Sequence, residues 1–112
     1  MSTYLKEVLF HCSMKGWVSM DALSDIRSEI DRIDRELIRL LAQRQRLVEK
    51  AGRLKPKGDK ATVQASNRVS QVIANRRKEA LELGLSPDVT ESVWRSMIQA
   101  FIALEEKVNK EQ

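Results

Sequence analysis

The chain has 112 residues, with 20 Lys plus Arg against 16 Asp plus Glu and a single cysteine, Cys12. That length suits one domain with a small core, and a lone cysteine excludes an internal disulfide and suits a reducing, cytoplasmic location. The net charge of +4 favours anionic partners, but the charges alternate in sign without a basic block, which argues against nucleic acid, and no stretch reaches the ~18 apolar residues that span a membrane.

Residues 1–19 stand apart from the rest. They hold the only Tyr, His and Cys, lack sustained periodicity, and read as a flexible N-terminal extension; Lys6 and Glu7 spoil them as a signal peptide. His11 and Cys12 are candidate metal ligands, but nothing nearby completes a set, so no metal is expected. Met20 opens the patterned sequence and reads as an alternative start. Residues 20–112 read as one all-helical domain.

From about Asp21 to Lys55 apolar residues recur at threes and fours: Leu23, Ile26, Ile30, Ile33, Leu37, Leu40, Leu41, Val48 and Ala51. Ser19 or Asp21 is a candidate cap. A helix of that span is ~50 Å long, more than a core of this size can cover, and a partner helix from a second chain is the simplest remedy. "PKGDKATVQAS" follows as a polar loop, with Pro56 ending the helix and Gly58 allowing a turn. A second helix is expected from about Thr62 to Leu83, with Val69, Val72, Ile73, Ala80 and Leu83 inward. Gly84 suits its C-terminus. Ser86 and Pro87 then restart the chain as a third helix carrying Val89, Val93, Trp94, Met97, Phe101, Leu104 and Val108. No strand is expected.

The apolar face of the first helix holds an anomaly. At about 100° per residue, Arg44 and Lys55 fall within about 20° of each other, amid Ile26, Leu37, Val48 and Ala51. Arg27 borders the face, while Arg35 and Arg53 point away. On the third helix Glu105 shares the side of Trp94, Met97 and Val108. A buried, unpaired cation costs several kcal/mol even after relaxation, so these groups need anionic partners. An internal ion pair of Glu105 with Lys55 or Arg44 is one solution. It leaves surplus positive charge, which suits a small anion with more than one carboxylate or phosphate. There is no His after residue 11, no Gly-rich phosphate loop and no metal cluster. An enzyme built this way works by positioning and electrostatics, without a nucleophile or a cofactor.

"LSDIRSEIDRIDRELIRLLAQRQRLVEKAGRLK" resembles the first helix of the all-helical, AroQ-type chorismate mutases, and "NRVSQVIANRRKEALELGLSPDVTESVWRSMIQAFIALEE" is similar to the other two. The resemblance covers roughly residues 21–108. It implies an all-α fold of three helices per chain, with a long first helix, in an intertwined homodimer with two active sites. It also implies the substrate, chorismate, the product, prephenate, and a place in aromatic amino acid biosynthesis by the shikimate pathway. By position, Arg27 would reach the partner's site, while Arg44 and Arg68 would bind carboxylates. Lys55 would meet a carboxylate and the ether oxygen of the breaking bond. Glu105 falls where the family has Gln or Glu donating to that oxygen. Two positions depart from the family pattern at the ring end of the site: Val69 where an acidic residue is common, and Phe101 where a Ser is common. "NRV" with "WRSMI-AFI-LE" also resembles a branch containing isochorismate-pyruvate lyases, which form salicylate, and some relatives act on an amino-substituted chorismate. The reading outside catalysis is a helical dimerisation module with solvated cations.

Overall fold

The computed structural model describes residues 20–111, and the side chain of Met20 is not among the described parts. The extension expected over residues 1–19, with Ser19, His11 and Cys12, lies outside the described residues. Four helices follow in order: α1 Met20–Leu54, α2 Lys60–Gln64, α3 Ser66–Leu83 and α4 Pro87–Lys110. Among the described residues there is no strand, and no helix is long and apolar enough to cross a membrane. The fold class is all-α, as expected.

The described chain divides into two compact units at Gln43/Arg44, within α1. The first unit consists of α1 up to Gln43. Asp21 lies in its first turn, so it complements the helix dipole rather than capping the end. The apolar face is present and largely uncovered: Ile26, Ile30, Ile33, Leu37 and Leu40 are each half or more exposed.

The second unit contains the rest of α1 with α2, α3 and α4. Its core is Val63, Ile73, Ala80 and Ile98. The α3–α4 turn forms from local chemistry, as the sequence predicts. Gly84 has φ 75°, a conformation that Gly adopts without a Cβ clash. Leu85 N donates to Ala80 O at 2.8 Å and Gly84 N to Leu81 O at 3.3 Å, the paired bonds that close a helix C-terminus. Ser86 Oγ then accepts from Val89 N at 3.2 Å, and Pro87 occupies the first turn of α4. Arg77 donates across the turn to Glu91 Oε1 (2.8 Å), Asp88 Oδ1 (3.2 Å) and Pro87 O (3.3 Å).

Two expectations need correction. The polar loop after Pro56 contains a helix. Asp59 starts α2, accepting from Thr62 N at 3.1 Å and from Thr62 Oγ1 at 2.7 Å, and Val63 turns into the core. α2 and α3 are not continuous either, because Ala65 between them is left-handed (φ 42°, ψ 60°). Such a turn costs a non-glycine residue ~1–2 kcal/mol; burial of Val63 and the bond from Gln64 Nε2 to Glu106 Oε2 at 3.0 Å compensate it. The inward set also shifts. Leu83, expected inside, is 83% exposed because it sits beside the closing turn, and Val89 and Val93 are half exposed. Ile98, outside the expected set, is the buried residue of α4's apolar side.

Candidate active site

A cavity of about 290 Å³ opens in the second unit, near the lower end of the ~300–1,000 Å³ typical of small-molecule sites. Arg44, Val48, Ala51 and Lys55 of α1 form one wall, the side that helical rotation places together. Arg68 and Val69 come from the start of α3, and Phe101 and Glu105 from α4. Six of the residues singled out in the sequence thus meet around one space. Arg27 belongs to the first unit, exposed on α1, and is not among the lining residues.

The cations are held in different ways. Lys55 Nζ lies 2.5 Å from Glu105 Oε2, the internal ion pair the sequence allows. Glu105 is 7% exposed, and its Oε2 has no hydrogen-bond partner beyond that ion pair among the described residues. Arg44 has no carboxylate within ion-pair reach among them. Its guanidinium carbon sits 4.8 Å from the centre of the Phe101 ring, a cation–π contact. Its Nη1 is buried without a hydrogen-bond partner among the described residues. Burial first, and the neighbouring charge of Arg68 second, hold the Arg44 guanidinium below its ordinary value. It remains cationic, since arginine does not deprotonate in proteins.

Three cations therefore face the cavity with one carboxylate between them. Leaving a charged donor buried and unsatisfied costs ~1–3 kcal/mol or more, and an incoming carboxylate recovers that cost. Phe101 offers the guanidinium a ring face but no hydrogen-bond acceptor. The donor is thus preorganised for an anion. Among the described residues no cluster of His, Cys, Asp or Glu has the arrangement to hold a metal.

Sequence reasoning missed four contributors. Gln64 and Ala65 line the cavity because of the kink before α3. Gly52 permits a close approach of α4. A Cβ at that position would lie 3.0 Å from Glu105 Cγ and 3.1 Å from Glu105 O. The available signal was a lone glycine in an otherwise strong helix, a position that needs a packing reason. Asn109, 1% exposed, holds the end of α1 and is taken up below.

A family model described as chorismate mutase type II matches residues 26–106. The T-protein of Haemophilus influenzae is 41% identical over 86 residues, which is 77% of this chain and 22% of that protein. The isochorismate pyruvate lyase of Pseudomonas aeruginosa is 34% identical over 90 residues, 80% of this chain and 87% of that protein. A bifunctional chorismate mutase/prephenate dehydratase of Aquifex aeolicus is 30% identical over 91 residues, 80% of this chain and 25% of that protein. The chain thus spans about a quarter or less of the T-protein and bifunctional relatives, and most of the lyase.

Proposed function

Because the chain belongs to the chorismate mutase type II family, we propose that it rearranges chorismate to prephenate in the cavity bounded by Arg44, Lys55, Arg68 and Glu105. The observation that carries this reading is Arg44, a half-buried guanidinium whose buried Nη1 has no hydrogen-bond partner among the described residues, beside the further cation Arg68 and a Lys55–Glu105 pair. A dicarboxylate satisfies that donor and neutralises the surplus charge.

The reaction breaks one C–O bond and forms one C–C bond in a single cyclic step, with no proton to abstract. Negative charge builds on the departing ether oxygen. Arg44 and Arg68 grip the carboxylates and keep the substrate folded for reaction. Lys55 Nζ and a proton on Glu105 are aimed at the ether oxygen, where they stabilise the transition state more than the ground state. Paired with Lys55, Glu105 acts as an acceptor, so donation to the ether oxygen requires a proton on its carboxyl group. Val69 and Phe101 make the ring end apolar.

The uncovered face of α1 supports a homodimer. Burying the exposed half of five Ile or Leu side chains, each worth ~1.5–3 kcal/mol for full burial, stabilises the pair by roughly 4–8 kcal/mol per chain. Arg27, exposed in the first unit, is then available to the partner's site. The lone cysteine and the absence of a spanning helix among the described residues fit a cytoplasmic enzyme.

A second reading, isochorismate-pyruvate lyase, is favoured by the 34% identity to a lyase matched over 87% of its length. The same cationic cavity would then release pyruvate and leave salicylate. Incubation with chorismate and, separately, with isochorismate divides the two. Prephenate from chorismate supports the mutase, whereas salicylate with pyruvate and no prephenate transfers the site to the lyase. No product from either substrate leaves the dimerisation module, a reading that the buried Nη1 of Arg44 disfavours.

A further inference from the structure

The end of α1 has an unusual closure. In a continuing helix the carbonyl of Gly52 would accept from the N–H of residue 56, but Pro56 has none. Asn109, a turn below Glu105 on α4, supplies the donor instead. Its Nδ2 donates to Gly52 O at 2.8 Å, Lys55 O at 3.1 Å and Pro56 O at 3.2 Å. Its Oδ1 accepts from Gly58 N at 2.6 Å. One buried amide thus holds the last turn of α1 and the following turn together.

Lys55 is consequently fastened at both ends by one face of α4. Its carbonyl is bound by Asn109 and its ammonium by Glu105, four residues apart and one turn along the same side. Gly52 lets that side approach α1 closely. Asn109 does not line the cavity, so it cannot meet a ligand directly.

We propose that Asn109 is a positioning residue: it fixes the backbone at Lys55 so that the ammonium is aimed into the cavity. This rests on the reading of Lys55 as the charge directed at the breaking bond. A lysine has a long, flexible stem, and without an anchored backbone its charge samples solvent rather than one point. An error of about 1 Å in such a group can cost ~100-fold in rate.

The test is a double-variant cycle on the full chain: Asn109→Ala, Lys55→Ala and the two together. Asn109→Ser, which fits the space and retains one donor, accompanies them. Each is measured for kcat/KM with chorismate and for affinity toward a bicyclic ether dicarboxylate shaped like the cyclic transition state. Circular dichroism confirms folding at the assay temperature. Asn109→Ala is expected to lose about 10- to 100-fold in both readouts in the parent chain, and less than about twofold when Lys55 is already Ala. The serine variant is expected to recover part of the loss. Binding keeps the cycle readable where turnover has vanished. Equal losses in both backgrounds, an unchanged Asn109→Ala, or loss of the fold in both Asn109 variants overturns the proposal. Normal turnover and affinity in Lys55→Ala would instead remove the reading of Lys55 on which it rests.

Discussion

Replacing Lys55 by alanine separates the catalytic and structural roles of the ion pair. The substitution removes the ammonium 2.5 Å from Glu105 Oε2 and leaves a carboxylate whose side chain is 9% exposed. Breaking a fully buried pair costs ~3–5 kcal/mol. Here the lysine side chain is 25% exposed, so water replaces part of the interaction and the loss falls to about 1–2 kcal/mol. For a domain of this size that lowers Tm on the order of 5–10 °C. The effect on turnover is larger. Removing one preorganised donor from a developing oxyanion costs ~10²–10³ in kcat, or about 3–4 kcal/mol. The assay is prephenate formation well below Tm, alongside thermal melting followed by circular dichroism. Adding Glu105→Gln to Lys55→Ala removes the stranded carboxylate, so stability returns while turnover stays low. A folded Lys55→Ala chain with unaltered turnover would refute the role assigned to Lys55.

Other substitutions probe the surrounding geometry. Glu105→Gln keeps a side-chain donor for the ether oxygen and removes the carboxylate paired with Lys55, so turnover should persist, whereas Glu105→Ala should lose ~10²–10³ in kcat; steady-state kinetics of the two variants check this, and equal losses would mean that the donor is not needed. Gly52→Ala places a methyl 3.1 Å from the backbone oxygen of Glu105, so α4 must shift; a stability loss of about 1–3 kcal/mol with reduced kcat is expected from denaturant titration and kinetics, and neutral behaviour would mean that α4 yields freely. Ala65→Gly relieves a left-handed alanine and should leave stability unchanged or raise it by up to about 1 kcal/mol, checked by the same titration; a marked loss would mean that the kink is not strained.

The parts legible in the sequence are those set by local rules. Gly84, Ser86 and Pro87 define the α3–α4 turn without help from the rest of the chain. Arg44 and Lys55 stood out because helical rotation alone places two cations on an apolar side. Arg68 has no such signal, since it is exposed at the start of α3, and only the resemblance singled it out. The kink at Ala65 was hidden because burial of Val63 outweighs the preference of the segment for one continuous helix. Asn109 was hidden for a related reason. Its importance comes from an N–H that Pro56 lacks, 53 positions earlier, which no local pattern encodes. Leu83 misled because apolar spacing continues to the helix end, while cover ends before it.

The central claim is that the cationic cavity holds a dicarboxylate with its ether oxygen at Lys55 and Glu105. A crystal structure with the bicyclic ether dicarboxylate bound tests it most directly. The two carboxylates are expected on Arg44 and Arg68, with Arg44 Nη1 satisfied. The ether oxygen is expected within hydrogen-bond distance of both Lys55 Nζ and Glu105, with Arg27 of a second chain at the same ligand. A ligand bound elsewhere, or one that leaves Arg44 Nη1 buried and unpartnered, would contradict it.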